Sequence, residues 1–86
     1  MAIGKLVEAA IYDDTATPEY RRKASAEISE RAAAAIEILG EIGNADDSDL
    51  YLAILAYQEA KSASEVATLR AAQIIAGVRE RYGIDV

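Results

Sequence analysis

Residues 17–43 read TPEYRRKASAEISERAAAAIEILGEIG, with a helix start at one end and a helix stop at the other. Thr17 can accept a hydrogen bond from a free N–H of the first turn, and Pro18 occupies the position where a missing N–H costs nothing. Glu19 follows where the positive end of the helix dipole favours an acid. Gly43-Asn44 supplies residues that tolerate positive φ and so end the helix. At 1.5 Å per residue the span 18–42 is about 37 Å long.

Within this helix Ile28, Ala32, Ala35, Leu39 and Ile42 recur at steps of four, three, four and three, which is one helical face. Ile36 and Ile38 widen that stripe. The first half differs: Arg21, Arg22, Lys23, Ser25, Glu27, Ser29 and Glu30 leave a narrow apolar strip. One end is built for water and the other for burial.

Working outward, residues 2–12 (AIGKLVEAAIY) place Ile3, Leu6, Val7, Ala10 and Ile11 on one face of a short amphipathic helix. The acids Asp13 and Asp14 belong to the loop before Thr17, since acids collect ahead of helix starts. Asn44–Asp49 is a turn. It lacks the alternation and the glycine of a calcium loop, and Asp47 or Ser48 as the next helix cap accounts for the same letters. Residues 49–82 contain no proline, and Ala53, Ala56, Ala60, Ala63 and Ala67 step by three, four, three and four. Ile74 and Val78 carry the stripe on.

Because this phase survives Ser62-Ala63-Ser64-Glu65, the spacing predicts one long helix. Ser62 and Glu65 match the S-x-x-E capping box, so a break or kink near 61–64 is the alternative. Gly77 in a helix interior points to a second backbone passing close. Arg79 and Arg81 suit a last turn that Gly83 ends, and Ile84 and Val86 tuck back. The expectation is an all-α single domain over 1–86: three helices, about 2–12, 18–42 and 49–82, in an antiparallel bundle.

The totals narrow the function. A chain of 86 residues with 52% apolar residues holds one modest core and is not disordered. Without cysteine there is no disulfide or thiol nucleophile, and without histidine the commonest general base and metal ligand are missing. The 19 alanines favour helix and let helix axes approach closely. A net charge of −6 argues against nucleic-acid binding. Lys5, Glu8 and Asp13 interrupt the N-terminal apolar residues, so neither a signal peptide nor a membrane span is expected. The expectation is a soluble cytoplasmic protein.

Ala32–Leu39 and Leu50–Tyr57 (LYLAILAY) are hydrophobic on more than one face. A short turn joins their helices, so they meet as an antiparallel hairpin. The short first helix covers the Pro18–Glu30 half, which leaves the other end bare. The predicted interface is therefore Ile36, Ile38, Leu39, Tyr51, Leu52 and Leu55, covered by a second copy across a two-fold axis. A homodimer is expected, and another protein partner would use the same patch. If the chain breaks near 61–64, the C-terminal segment can instead fold back over this end.

Pro18-Glu19-Tyr20-Arg21-Arg22-Lys23-Ala24 resembles the start of the second helix in HEAT-like repeats, P-x-V-R-x-x-A. Arg31-Ala32-Ala33-Ala34 followed by Leu39-Gly40-Glu41-Ile42-Gly43 is similar to its end, L-G-x-I-G, and Ser64-Glu65-Val66 with Arg70-Ala71-Ala72 echoes it. The resemblance implies a stack of helical hairpins that binds proteins rather than an enzyme. It departs from the family in placing Pro18 and Arg31 on one helix, and the chain is shorter than the three repeats a solenoid needs.

No G-x-x-x-x-G-K-[ST] or G-x-G-x-x-G occurs, so no nucleotide site is indicated. The only basic run, Arg21-Arg22-Lys23, cannot point one way on a helix and reads as a solvated face. No catalytic residue, cofactor or metal ligand is assigned, and the function read here is a non-enzymatic self-association or protein-interaction module. Two alternatives follow from the same letters. A designed helical bundle without biochemical role fits an alanine-rich chain lacking cysteine and histidine. A metal-dependent helical hydrolase would use Glu27, Glu30, Glu59 and Glu65, although the i,i+4 pairs Glu27–Arg31 and Glu19–Lys23 show how such acids serve as surface partners instead.

Overall fold

The computed structural model describes residues 2–62 and 64–86, and among these the only regular structure is helical. In chain order the elements are α1 (Ile3–Val7), a wider π-helical turn that continues it (Glu8–Tyr12), α2 (Pro18–Ile42), α3 (Asp47–Lys61) and α4 (Glu65–Tyr82). They form an antiparallel bundle of four helices measuring 42 × 21 × 15 Å, its long dimension set by α2.

The single helix expected over 49–82 is two helices. Ser62 is extended (φ −74°, ψ 157°), its hydroxyl donating to the Glu59 carbonyl at 2.8 Å. Ser64, not Ser62, caps the next helix, accepting from the Ala67 N–H at 3.3 Å. Reversal wins because it lets Ala71, Ile75 and Val78 bury against the rest of the chain, whereas one straight helix would leave them in water. Ala63 of the expected stripe lies outside the described residues; Ala53, Ala56, Ala60 and Ala67 are buried.

Helix α2 starts and stops as its letters dictate. The Thr17 hydroxyl accepts from the Tyr20 N–H at 3.1 Å, and Gly43 takes φ 79° at the C-terminus. Ile28, Ala32, Ala35 and Leu39 are buried, while Ile42, in the last turn, is partly exposed. Helix α3 begins two residues before the expected position. Asp46 is its N-cap, without a side-chain bond, so neither Asp47 nor Ser48 caps it.

The N-terminal segment is helical over nearly the expected range, but its second half widens: the Asp13 N–H reaches the Glu8 carbonyl at 2.8 Å, five residues back. Arg21 holds this end. Its guanidinium donates to the Ile11 carbonyl at 3.2 Å and to the Asp13 carbonyl at 2.7 Å, the latter also accepting the Ala16 N–H. Arg21 is thus part of the packing, and only Arg22 and Lys23 of the basic run are exposed.

The core is built mostly from small residues. Ile28, Ile75 and Val78 are its largest fully buried side chains; alanines of α2, α3 and α4 supply most of the rest. Val86 is buried and Ile84 packs against the core, so the tail folds back as expected. Among the described residues, the nearest atoms to a Cβ placed at Gly77 belong to a side chain and not to a second backbone. A Cβ there would meet the Arg81 guanidinium at 3.0 Å, one turn along the same helix.

Candidate interaction surface

Helix α3 packs between α2 and α4 and buries Asp49, Ala53, Ala56 and Ala60. That stripe contains no side chain larger than an aspartate. On the opposite face Asp47, Tyr51, Ile54, Gln58 and Lys61 are all exposed, again at steps of four, three, four and three. Tyr51 is 67% exposed and Ile54 39%, with Leu52 and Leu55 half-buried beside them. An amphipathic helix normally turns its bulky apolar residues inward. Here close packing of three helices admits alanines; Leu50 and Tyr57 pack against the core from one flank, and Tyr51 and Ile54 are left facing water.

Of the six residues expected at the interface, Leu39 is only 2% exposed and belongs to the chain's own core. The C-terminal helix folding back over this end accounts for that. Ile36 and Ile38 are half-buried against the core on the two flanks of α2, and Leu52 and Leu55 flank the exposed face of α3. Tyr51 lies on that face. Ile54, which the sequence reading did not single out, lies beside it; the signal was the heptad step from Asp47 to Lys61.

The N-terminal end of α3 is locked from behind. Asp49 accepts from Arg81 at 2.7 Å and from the Tyr82 hydroxyl at 2.6 Å, and Tyr82 in turn accepts from the Asp46 N–H at 3.1 Å. The Tyr82 bond, helped by the Arg81 charge, holds the Asp49 carboxyl below its ordinary range, with partial desolvation opposing. The same bond pushes the Tyr82 phenol up. In the first loop, Thr15 donates its hydroxyl and N–H to Asp13 and lowers that carboxyl as well. At the opposite end of the α3–α4 pair, near the connection, Arg70 and Glu59 form an ion pair at 3.3 Å. The network fixes how α3 is presented.

Comparison with known protein families, curated proteins and solved structures finds no match. The surface must be read from its own chemistry.

Two other features compete for attention. A groove of about 610 Å³ opens where the α3–α4 connection meets the start of α2. Arg21, Arg22 and Lys61 line it together with Glu30 and Glu65, so its charges nearly balance and no ligand class is favoured. Of the four glutamates considered for a metal, Glu27 is paired with Arg31 and Glu59 with Arg70. Among the described residues no three His, Cys, Asp or Glu side chains stand together as metal ligands. Nor, among those residues, is any helix long and apolar enough to cross a membrane.

Proposed function

We propose that this chain is a non-enzymatic helical module that self-associates through the outward face of α3. The observation that carries the proposal is the inverted helix: α3 buries alanines and presents Tyr51 and Ile54 to water, with Leu55 half-buried beside them. Withdrawing one such side chain from water is worth about 1.5–3 kcal/mol. The core keeps few large residues of its own, so a partner's contribution is large in proportion. A second copy is the partner that the chain itself supplies, and a two-fold axis lets one patch cover its own duplicate.

The 15 residues of α3 give a contact line of about 22 Å. That places the interface in the small class, below about 1,200 Å², with association expected in the micromolar range. Light scattering coupled to size exclusion, run from a few to several hundred micromolar, tests it. The average mass should rise from one chain towards two, and Tyr51→Glu or Leu55→Glu should hold it at one. A wild-type mass that stays at one chain throughout would end the proposal.

A further inference from the structure

The geometry points to an antiparallel dimer whose two-fold axis passes beside Ile54 and sets Asp47 of each copy against the partner's Lys61. This rests on the self-association just proposed and adds the pairing. Asp47 and Lys61 lie seven residues before and seven after Ile54, on the same exposed stripe. Each is therefore about 10 Å from Ile54 along the axis, in opposite directions.

Turn a second α3 head to tail on the first, with the Ile54 residues facing, and the acidic end of each meets the basic end of the other at both extremities. A parallel pairing would bring Asp47 against Asp47 and Lys61 against Lys61, so charge selects the antiparallel one. Steps of four and three along the stripe suit two helices that cross at a shallow angle.

Both end groups are available. The Lys61 ammonium rests over the Tyr57 ring, 4.4 Å from its centroid, which steers it without neutralising it. Among the described residues neither Asp47 nor Lys61 forms an ion pair within the chain. Each does complement the dipole of its own helix, Asp47 at the start and Lys61 at the end. This gives the two explanations opposite consequences. Reversing both charges opposes the dipole twice, yet restores the pair across a dimer.

The test uses the whole chain. Asp47→Lys and Lys61→Asp should each weaken association by roughly tenfold, because two attractive pairs per dimer become repulsive. The double variant should recover most of that loss while its melting temperature falls below that of either single variant. Circular dichroism checks that all three remain helical. A cysteine-free chain also permits a clean cross-link. Ile54→Cys, oxidised with glutathione disulfide, should give a covalent dimer. Tyr51→Cys should not, since antiparallel helices set its two copies about 9 Å apart along the axis, beyond a disulfide's reach.

If wild-type chain dimerises but the double reversal stays weak, or Tyr51→Cys cross-links as well as Ile54→Cys, the antiparallel pairing is overturned and self-association stands. If wild-type chain never dimerises, both fall.

Discussion

The Tyr82 hydroxyl donates to Asp49 Oδ2 at 2.6 Å and ties the last residue of α4 to the first turn of α3. One phenol thereby closes the bundle at the end where the chain reverses between α2 and α3, and it also receives the Asp46 N–H. Tyr82→Phe removes the donor and the acceptor together. The melting temperature should fall, and the Asp49 carboxyl, followed by carbon-detected NMR titration, should move up towards its ordinary value. An unmoved Asp49 titration would show that Arg81 alone sets it.

The same pair dictates how stability depends on pH. Asp49 has a lower pKa folded than unfolded, so its contribution is complete above the ordinary carboxylate value of about 4. It is lost as pH falls through the lowered folded value. Tyr82 shifts the other way: its contribution is complete below about pH 10 and is lost as pH rises through the raised folded value. Urea midpoints measured across pH should thus show a plateau between these limits with a fall on each side. Asp49→Asn should flatten the acid fall, although the Asp13–Thr15 turn leaves part of it.

Two isoleucines separate folding from association. Ile28 is fully buried between helices, and Ile28→Ala should cost about 2–5 kcal/mol of unfolding free energy. Ile54 is exposed, and Ile54→Ala should change the monomer's stability by no more than about 0.5 kcal/mol. Light scattering should nevertheless show weaker self-association for Ile54→Ala. A large loss of monomer stability at Ile54 would mean that its side chain serves the core.

Gly77 offers a gain with a condition attached. Alanine in a helix interior is favoured over glycine by about 1 kcal/mol, but its methyl would press on the Arg81 guanidinium that grips Asp49. Gly77→Ala should therefore stabilise an Arg81→Ala chain more than it stabilises the wild-type chain. Equal gains in a double-mutant cycle by urea unfolding would show that the guanidinium moves aside freely.

Local chemistry made most of α2 legible: Thr17 and Pro18 start it, Gly43 stops it, and Ile28 to Leu39 form its buried face as spaced. The bonds that run far along the chain were not. Nothing near Arg21 announces that it will hold the Ile11 and Asp13 carbonyls, and Asp49 and Tyr82 are 33 positions apart. The outward face of α3 was half legible. Tyr51 and Leu55 stood out in an apolar run, while Ile54 needed knowledge of which stripe was already covered. The break after Lys61 escaped the spacing for a physical reason. Ala60 and Ala67 keep the heptad phase across it, and a stripe of equal small residues reads alike whether the helix continues or turns back.

That ambiguity yields a last expectation. The turn is held by local bonds: the Ser62 hydroxyl donates to the Glu59 carbonyl, and the Ser64 hydroxyl caps α4. Losing a serine cap costs about 1 kcal/mol, and alanine at both positions favours helix directly. Ser62→Ala/Ser64→Ala should thus raise the population in which α3 and α4 run on as one helix. Ile75 and Val78 cannot then reach their own core, and the means of burying them is exchange of α4 between two copies. Such an exchanged dimer differs from association through the α3 face in being slow to dissociate on dilution and in surviving Tyr51→Glu. If the double variant shows only a lowered melting temperature and no slowly exchanging dimer, the reversal is fixed by the packing of α4 and the two serines merely trim its ends.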